Sequence, residues 1–382
     1  MKGKQKAVFL YDPFTDELMM KCQMHPTARS GPYLLLPCAM VASAMLCIAT
    51  GAETNEGIDP GIAESVGVNE SATWVADSLG PLLVRPTSLG QSLRFNPAFP
   101  SNLDRDPSTW RLDASLTWGN LWGRDNAEDT FIVDGEWTFL DFYLSRNLSE
   151  NFQLGVGVPL VSTDGGFADG FIEDTHDAFG VRNFGREKEP EDRKLIQFVN
   201  DDGVTHTVEG SSSGVGDVSL FALWQVAPDR EKKSAFAWHA AVTFPTGDEE
   251  ELHGNGEIAA QAGFRWRKAL GNGDWVFHLI GQGGYSLQDE LLGIEVEEIF
   301  GTAIVGVEWH PEENWSFLIQ GRIASPWAVK LVEFSDPVYE LLVGGKLRVG
   351  KASLIEFSII ENAVNFESST DVGAALAWST AL

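Results

Sequence analysis

From about residue 108 to the end of the chain, apolar residues recur at every second position, the period of a strand with one apolar and one polar face. Trp110, Leu112, Ala114, Leu116 and Trp118 alternate with Arg111, Asp113, Ser115 and Thr117. The same alternation runs through 152–160, 218–226, 236–244 and 372–378. About twelve such segments are present: 109–119, 133–146, 151–162, 216–227, 234–245, 256–268, 274–286, 300–310, 314–325, 338–349, 352–361 and 371–382. Most are near ten residues long, the length a tilted strand needs to cross a bilayer.

The connections between these segments alternate in length. Short turns fall at 146–151, 227–233, 269–273, 310–314 and 350–352; long loops fall at 119–133, 162–215, 246–256, 287–299, 326–337 and 361–370. This predicts an all-β fold, a transmembrane antiparallel barrel of about twelve strands with short periplasmic turns, both barrel ends periplasmic, and long acidic extracellular loops. Closure follows because lipid offers no hydrogen-bond partner to an open strand edge. A soluble sandwich shares the alternation, but three features separate the two. Trp224, Trp266, Trp275, Trp309 and Trp315 flank the short turns, where an interfacial aromatic girdle belongs. The face opposite the apolar one carries Arg265, Arg267, His278, Glu308, Arg322, Lys346, Arg348 and Glu356, as suits a wet lumen. Finally, residues 162–214 hold twelve acids against five bases, and 287–299 hold five acids and no base.

Charge and cysteine usage sharpen this picture. Residues 31–52 carry no charge, follow Arg29 and end in small residues, the order of a secretory signal peptide, with Met24 a possible true start. The run is short for a membrane span, contains Pro37 and has no basic flank after it. Three divisions are therefore expected: leader 1–52, a segment 53–108 that is either a periplasmic tail or a lumen plug, and the barrel 109–382. Cys22, Cys38 and Cys47 all lie in the leader, so the remainder needs no disulfide. Removing the leader's five basic and three acidic residues changes the net charge from −28 to −30, which excludes nucleic acid as a partner.

The inward charges number six bases (Arg111, Arg265, Arg267, Arg322, Lys346, Arg348) and six acids (Asp113, Asp141, Asp217, Glu308, Glu340, Glu356), which argues against strong charge selectivity. In so narrow a barrel, opposite charges are expected to pair across the lumen. The stretch Asp164–Gly180 mixes Phe167, Phe171 and Phe179 with acids and glycines. At spacings of four and eight the rings share one side of a short helix, expected to pack on the rim or in the lumen as a lid. Asp169, Glu173, Asp174 and Asp177, with His176, are expected to face water or a divalent cation, a solvated acidic face being the plainer reading.

Catalytic signatures are weak. Gly210–Gly214 fits G-x-S-x-G, but a nucleophile elbow needs a strand before it and a helix after it, and here a strand follows. His239 and His278 face the lumen without metal-ligand spacing. No catalytic residue, metal or cofactor is expected.

The runs GGFADGFIEDTHDAF (Gly165–Phe179), SSGVGD (Ser212–Asp217), FPTGD (Phe244–Asp248), GPLLVRP (Gly80–Pro86) and DGEW (Asp134–Trp137) resemble an uncharacterised outer-membrane family, domain of unknown function 3187 (DUF3187). The resemblance spans roughly residues 78–382 and implies an outer-membrane barrel without established activity. One departure is the ending WSTAL, which lacks the terminal aromatic of the usual assembly signal. The expected function is a narrow passive or gated channel for small solutes. The alternatives are a surface barrel whose acidic loops bridge lipopolysaccharide through divalent cations and, least favoured, an outer-membrane hydrolase. The expected partners are the lipid bilayer, lipopolysaccharide and, during biogenesis, the barrel assembly machinery.

Overall fold

The structure, a computed structural model, describes residues 78–95, 109–125, 130–180, 182–229, 233–271, 273–350, 352–364 and 370–382. The expected leader and the positions 53–77 and 96–108 lie outside the described residues. In chain order the strands are β1 (Trp110–Arg124), β2 (Phe131–Ser149), β3 (Phe152–Asp164), β4 (Leu195–Val199), β5 (Thr205–Glu209), β6 (Ser212–Val215), β7 (Val218–Asp229), β8 (Ser234–Phe244) and β9 (Ala259–Leu270). They continue with β10 (Trp275–Ser286), β11 (Glu290–Leu291), β12 (Ile294–Glu295), β13 (Ile299–Glu312), β14 (Trp315–Ala324), β15 (Val338–Val349), β16 (Ser353–Val364) and β17 (Thr370–Ala381). Two α-helices are described, α1 (Leu89–Arg94) and α2 (Asp169–Phe179), with a 3-10 turn at Arg186–Lys188.

β1 pairs with β2 on one edge and with β17 on the other, so β1, β2, β3, β7–β10 and β13–β17 close into a twelve-strand antiparallel barrel. All twelve correspond to alternating segments of the sequence. Period two puts Leu116, Leu160, Leu220, Val305, Ile319, Val343, Phe357 and Leu376 on the exposed outer face. Their neighbours Thr117, Ser219, Gln320, Glu356 and Ser358 turn inward and are buried. No helix among the described residues is long and apolar enough to cross a membrane.

Several strands outrun the membrane. At about 3.4 Å per residue and a tilt near 40°, a strand of roughly 19 residues rises about 50 Å, twice the apolar band; β2 has 19 residues. Its upper end, Phe131–Asp134, pairs with β4, and β4 pairs with β5 to form a hairpin above the mouth. β6 pairs with the upper part of β3, where β7 leaves off. The long loop 162–215 is therefore largely ordered secondary structure.

The interior is not uniformly wet. Inward-facing Leu318, Leu342, Ile360 and Ala375 pack with Leu82 and Val84 into an apolar cluster inside the barrel. The alternation of the wall identifies which residues point in; the partners that meet them come from the segment before β1.

Candidate functional site

Residues Ser78–Phe95 lie against the inner wall. Pro81 and Pro86 deprive this stretch of two N–H donors and hold it extended, so its remaining backbone groups need partners from elsewhere. The barrel wall supplies them. Leu79 N donates to Glu308 Oε1 at 2.9 Å, Leu82 N to Gln320 Oε1 at 2.6 Å, and Leu83 N to Glu356 Oε1 at 2.9 Å. In the other direction Lys346 Nζ donates to Pro81 O at 2.6 Å and Arg322 Nη1 to Val84 O at 2.7 Å. Gln320 grips both polar groups of Leu82, its Nε2 reaching Leu82 O at 3.3 Å.

The wall charges pair along the wall, correcting the expectation that they meet across the lumen. Arg322 and Glu340 are register partners on β14 and β15 and form an ion pair; Lys346 and Glu356 are register partners on β15 and β16, 2.6 Å apart. Directly opposed residues on one face lie about 5 Å apart, much closer than the opposite wall. Glu308 on β13 accepts from Ser78 Oγ at 2.7 Å and lies 2.8 Å from His278 Nε2 and 3.0 Å from His310 Nε2. Arg111 pairs with Asp113 on the same strand. Asp141 is met by Arg85 of the inserted segment in a two-point contact, Nε–Oδ2 3.1 Å and Nη2–Oδ1 2.6 Å. Arg348 sits half-buried by the periplasmic turn, 3.8 Å from Glu313.

Arg265 and Arg267 on β9 lie beside His278 on β10, the register partner of Arg267. With Pro81, Gln225, Leu223 and Ile280 they line a cavity of about 60 Å³, and no acidic residue lines it. Such a volume holds a few water molecules.

Above this level α1 enters an apolar core at the extracellular end of the barrel. Leu89 and Leu93 join Leu121, Phe131, Val133, Phe139, Ile196, Phe198, Val208, Leu252, Leu291, Ile294, Trp327 and Phe334. The cluster thus draws on the tops of β1 and β2, the β4–β5 and β11–β12 hairpins and the loop 326–337. Phe198, Trp327 and Phe334 contact one another pairwise with centroids 5.7 to 5.8 Å apart. Gly90 fits because it has no Cβ, which would stand 2.0 Å from Trp327 Cγ. Gln91 Nε2 donates to Ser325 O and Arg94 Nη1 to Glu297 O, tying the insert to two loops.

The core draws no described residue from Asp164–Gly180. α2 forms where the spacing predicts a helix, with Asp174 and Asp177 exposed as expected, but Asp169 turned inward and Phe171 outward. Phe167 and Phe171 are 76% and 72% exposed, whereas Asp169 is 2% exposed. Asp169 turns inward because Arg186 and Asn120 reach its Oδ1 at 3.2 and 3.1 Å and the Asp192 N–H reaches Oδ2 at 2.8 Å. Phe167 stacks on Trp118, with centroids 5.7 Å apart. Glu173 is half-buried and Asp174 exposed; His176 and Asp177 share Asn183, at 2.9 and 3.4 Å. The Phe179 side chain lies outside the described residues. Among the described residues no group of three potential ligands is placed to hold a metal ion.

A polar knot escaped the sequence reading. Ser212 of the GSSSG stretch lies 3.0 Å from His253 Nε2 and 2.9 Å from Thr163 Oγ1, and it receives a hydrogen bond from Lys194 Nζ at 3.3 Å. Ser212 lines neither this cavity nor the smaller one around Arg85, Asp217 and His253. A strand follows it, so the arrangement ties β3, β6 and the loop 246–256 together without an elbow. Burial holds the His253 imidazole below its ordinary value.

At the other end Trp224, Trp275, Trp309 and Trp315 are exposed beside the short turns, and Trp266 is half-buried. Trp275 and Trp309 stack at 6.0 Å as cross-strand partners.

A family model described as a protein of unknown function, DUF3187, matches residues 62–381. No curated protein matches the chain. Among solved structures, an outer membrane channel from Pseudomonas putida F1 aligns with a TM-score of 0.51 at 12% identity, covering 75% of this chain and 100% of that one. The likeness is one of fold. The KdgM porin aligns at TM-score 0.39 and 6% identity over 71% of this chain and 99% of its own. The CymD monoaromatic hydrocarbon channel aligns at 0.38 and 11% over 78% and 98%.

Proposed function

Since the chain belongs to the DUF3187 family, whose description assigns no activity, its role must be inferred from its own barrel, and we propose a gated outer-membrane channel for small solutes, closed in the state described. The observation that carries this reading is the manner in which Ser78–Phe95 is held. Strand pairing closes the barrel without this segment, while the segment's own bonds run to wall side chains and to the cap. An insert that contributes no strand to the wall can leave without breaking the barrel, and its departure would uncover Glu308, Gln320, Arg322, Lys346 and Glu356 beside the apolar patch of Leu318, Leu342 and Ile360.

Withdrawal of Pro81 would extend the cavity lined by Arg265, Arg267 and His278 along β7–β10. The aromatic cap and α1 form the extracellular gate, and their shared core couples gate to insert.

Planar-bilayer recording tests the reading. The full chain is expected to show rare, small openings, and a variant lacking residues 78–95 a steady, larger conductance, with barrel folding verified by its resistance to denaturation before heating. Absence of conductance from both, with the barrel folded, would overturn it and favour the surface barrel that bridges lipopolysaccharide.

A further inference from the structure

The first turn of α2 stands against the outside of the barrel. Trp118 ends an outward-facing series that begins with Trp110, the latter beside the periplasmic turn and 43% exposed. Eight residues at about 3.4 Å each, on a strand tilted near 40°, raise one end roughly 20 Å above the other. An outer-membrane barrel carries an apolar band about 25 Å tall, bounded by aromatic girdles. With Trp110 at the lower girdle, Trp118 stands at the upper one, and the Phe167 ring lies stacked on it.

The exposed rings are carried by a firmly held backbone. The N–H groups of Phe167 and Ala168 both donate to Glu136 Oε1, at 3.0 and 2.9 Å, and Glu136 Oε2 accepts the Trp118 indole N–H at 2.7 Å. One buried carboxylate thus clamps the start of α2 to the girdle tryptophan. Ala168, Asp169 and Ile172 turn to the protein, leaving Phe167 and Phe171 on the side continuous with the lipid-facing stripe of β1. Asp174 and Asp177 carry the exposed polar side.

We propose that Phe167 and Phe171 form a lipid anchor, inserting beside Trp118 into the outer-leaflet interface and holding the 162–214 loop against the membrane. The occupant is the boundary between head groups and acyl chains, chosen because the ring face continues an apolar surface that already meets lipid. The anchor does not depend on whether the barrel conducts.

Spin labelling tests it in the full chain carrying Cys22→Ser, Cys38→Ser and Cys47→Ser. Phe167→Cys, Phe171→Cys and Asp174→Cys are labelled singly and reconstituted in vesicles of phosphatidylethanolamine and phosphatidylglycerol. The ratio of collisions with oxygen to collisions with an aqueous nickel chelate is expected to be at least about threefold higher at 167 and 171 than at 174. Ratios at 167 and 171 equal to that at 174 would overturn the proposal. So would dipolar broadening between labels at 171, which would assign the face to a second copy of the chain. Both phenylalanines are exposed, so the labels leave the fold intact, as strand content before and after labelling would verify.

Discussion

A single missing methyl group decides how the insert meets the cap. Because a Cβ on Gly90 would stand 2.0 Å from Trp327 Cγ, Gly90→Val has to push the indole out of the apolar core. Overpacking of this kind costs about 1–3 kcal/mol. A lower urea midpoint in vesicles is expected, together with more frequent openings in bilayer recordings. Lys346 illustrates the opposite case, a charge buried to 1% exposure and held by Glu356 and Pro81 O. Lys346→Met strands Glu356 beside only the Leu83 N–H and should cost about 3–5 kcal/mol. Lys346→Met combined with Glu356→Leu should cost less than Lys346→Met alone, which a double-mutant cycle in urea would show. Both buried pairs, Lys346–Glu356 and Arg322–Glu340, were legible as charges of opposite sign on inward positions. Their pairing needed the register, which alternation alone does not supply.

Among the elements, the twelve barrel strands could be read because each spans ten or more residues, long enough for a period of two to show. β4, β5 and β6 could not: they have four or five residues each, and β4 pairs with the top of β2, some sixty positions away. α2 was legible as a helix from its spacing, but not its orientation. Hydrophobic side chains set a helix's inward face only when nothing stronger competes, and here Arg186 and Asn120 bring Asp169 inward. The loop 246–256 offers a test at this scale. With the His253 imidazole held low chiefly by burial, and by Lys194 against the opposing Glu251 and Asp248, the unfolded loop binds the proton at a higher pH than the folded one. Its stability is therefore full above about pH 6.5 and declines as pH falls below that value. Hydrogen exchange at residues 246–256 should speed up as pH falls below about 6.5, after correction for the intrinsic rate, and His253→Gln should abolish that change.

For the molecule as a whole, six inward bases against six inward acids argue against strong charge selectivity. Arg111, Arg322 and Lys346 are paired with Asp113, Glu340 and Glu356, Asp217 accepts the backbone N–H groups of Thr246, Gly247 and Asn255, and Arg265 and Arg267 line the cavity. Arg265→Glu with Arg267→Glu should move the reversal potential in a potassium chloride gradient toward that of a cation-preferring pore, and an unchanged potential would place the conducting path elsewhere. Strand number, the face that meets lipid and the side of the short turns were determined by the sequence itself, since period and turn length are local quantities set within ten or so residues. The contents of the lumen and the orientation of α2 were decided only by tertiary structure. Leu79 meets Glu308, Leu83 meets Glu356 and Pro81 meets Lys346 across separations of 229, 273 and 265 residues. Partners that far apart share no local period, and only closure of the barrel brings them within hydrogen-bond reach.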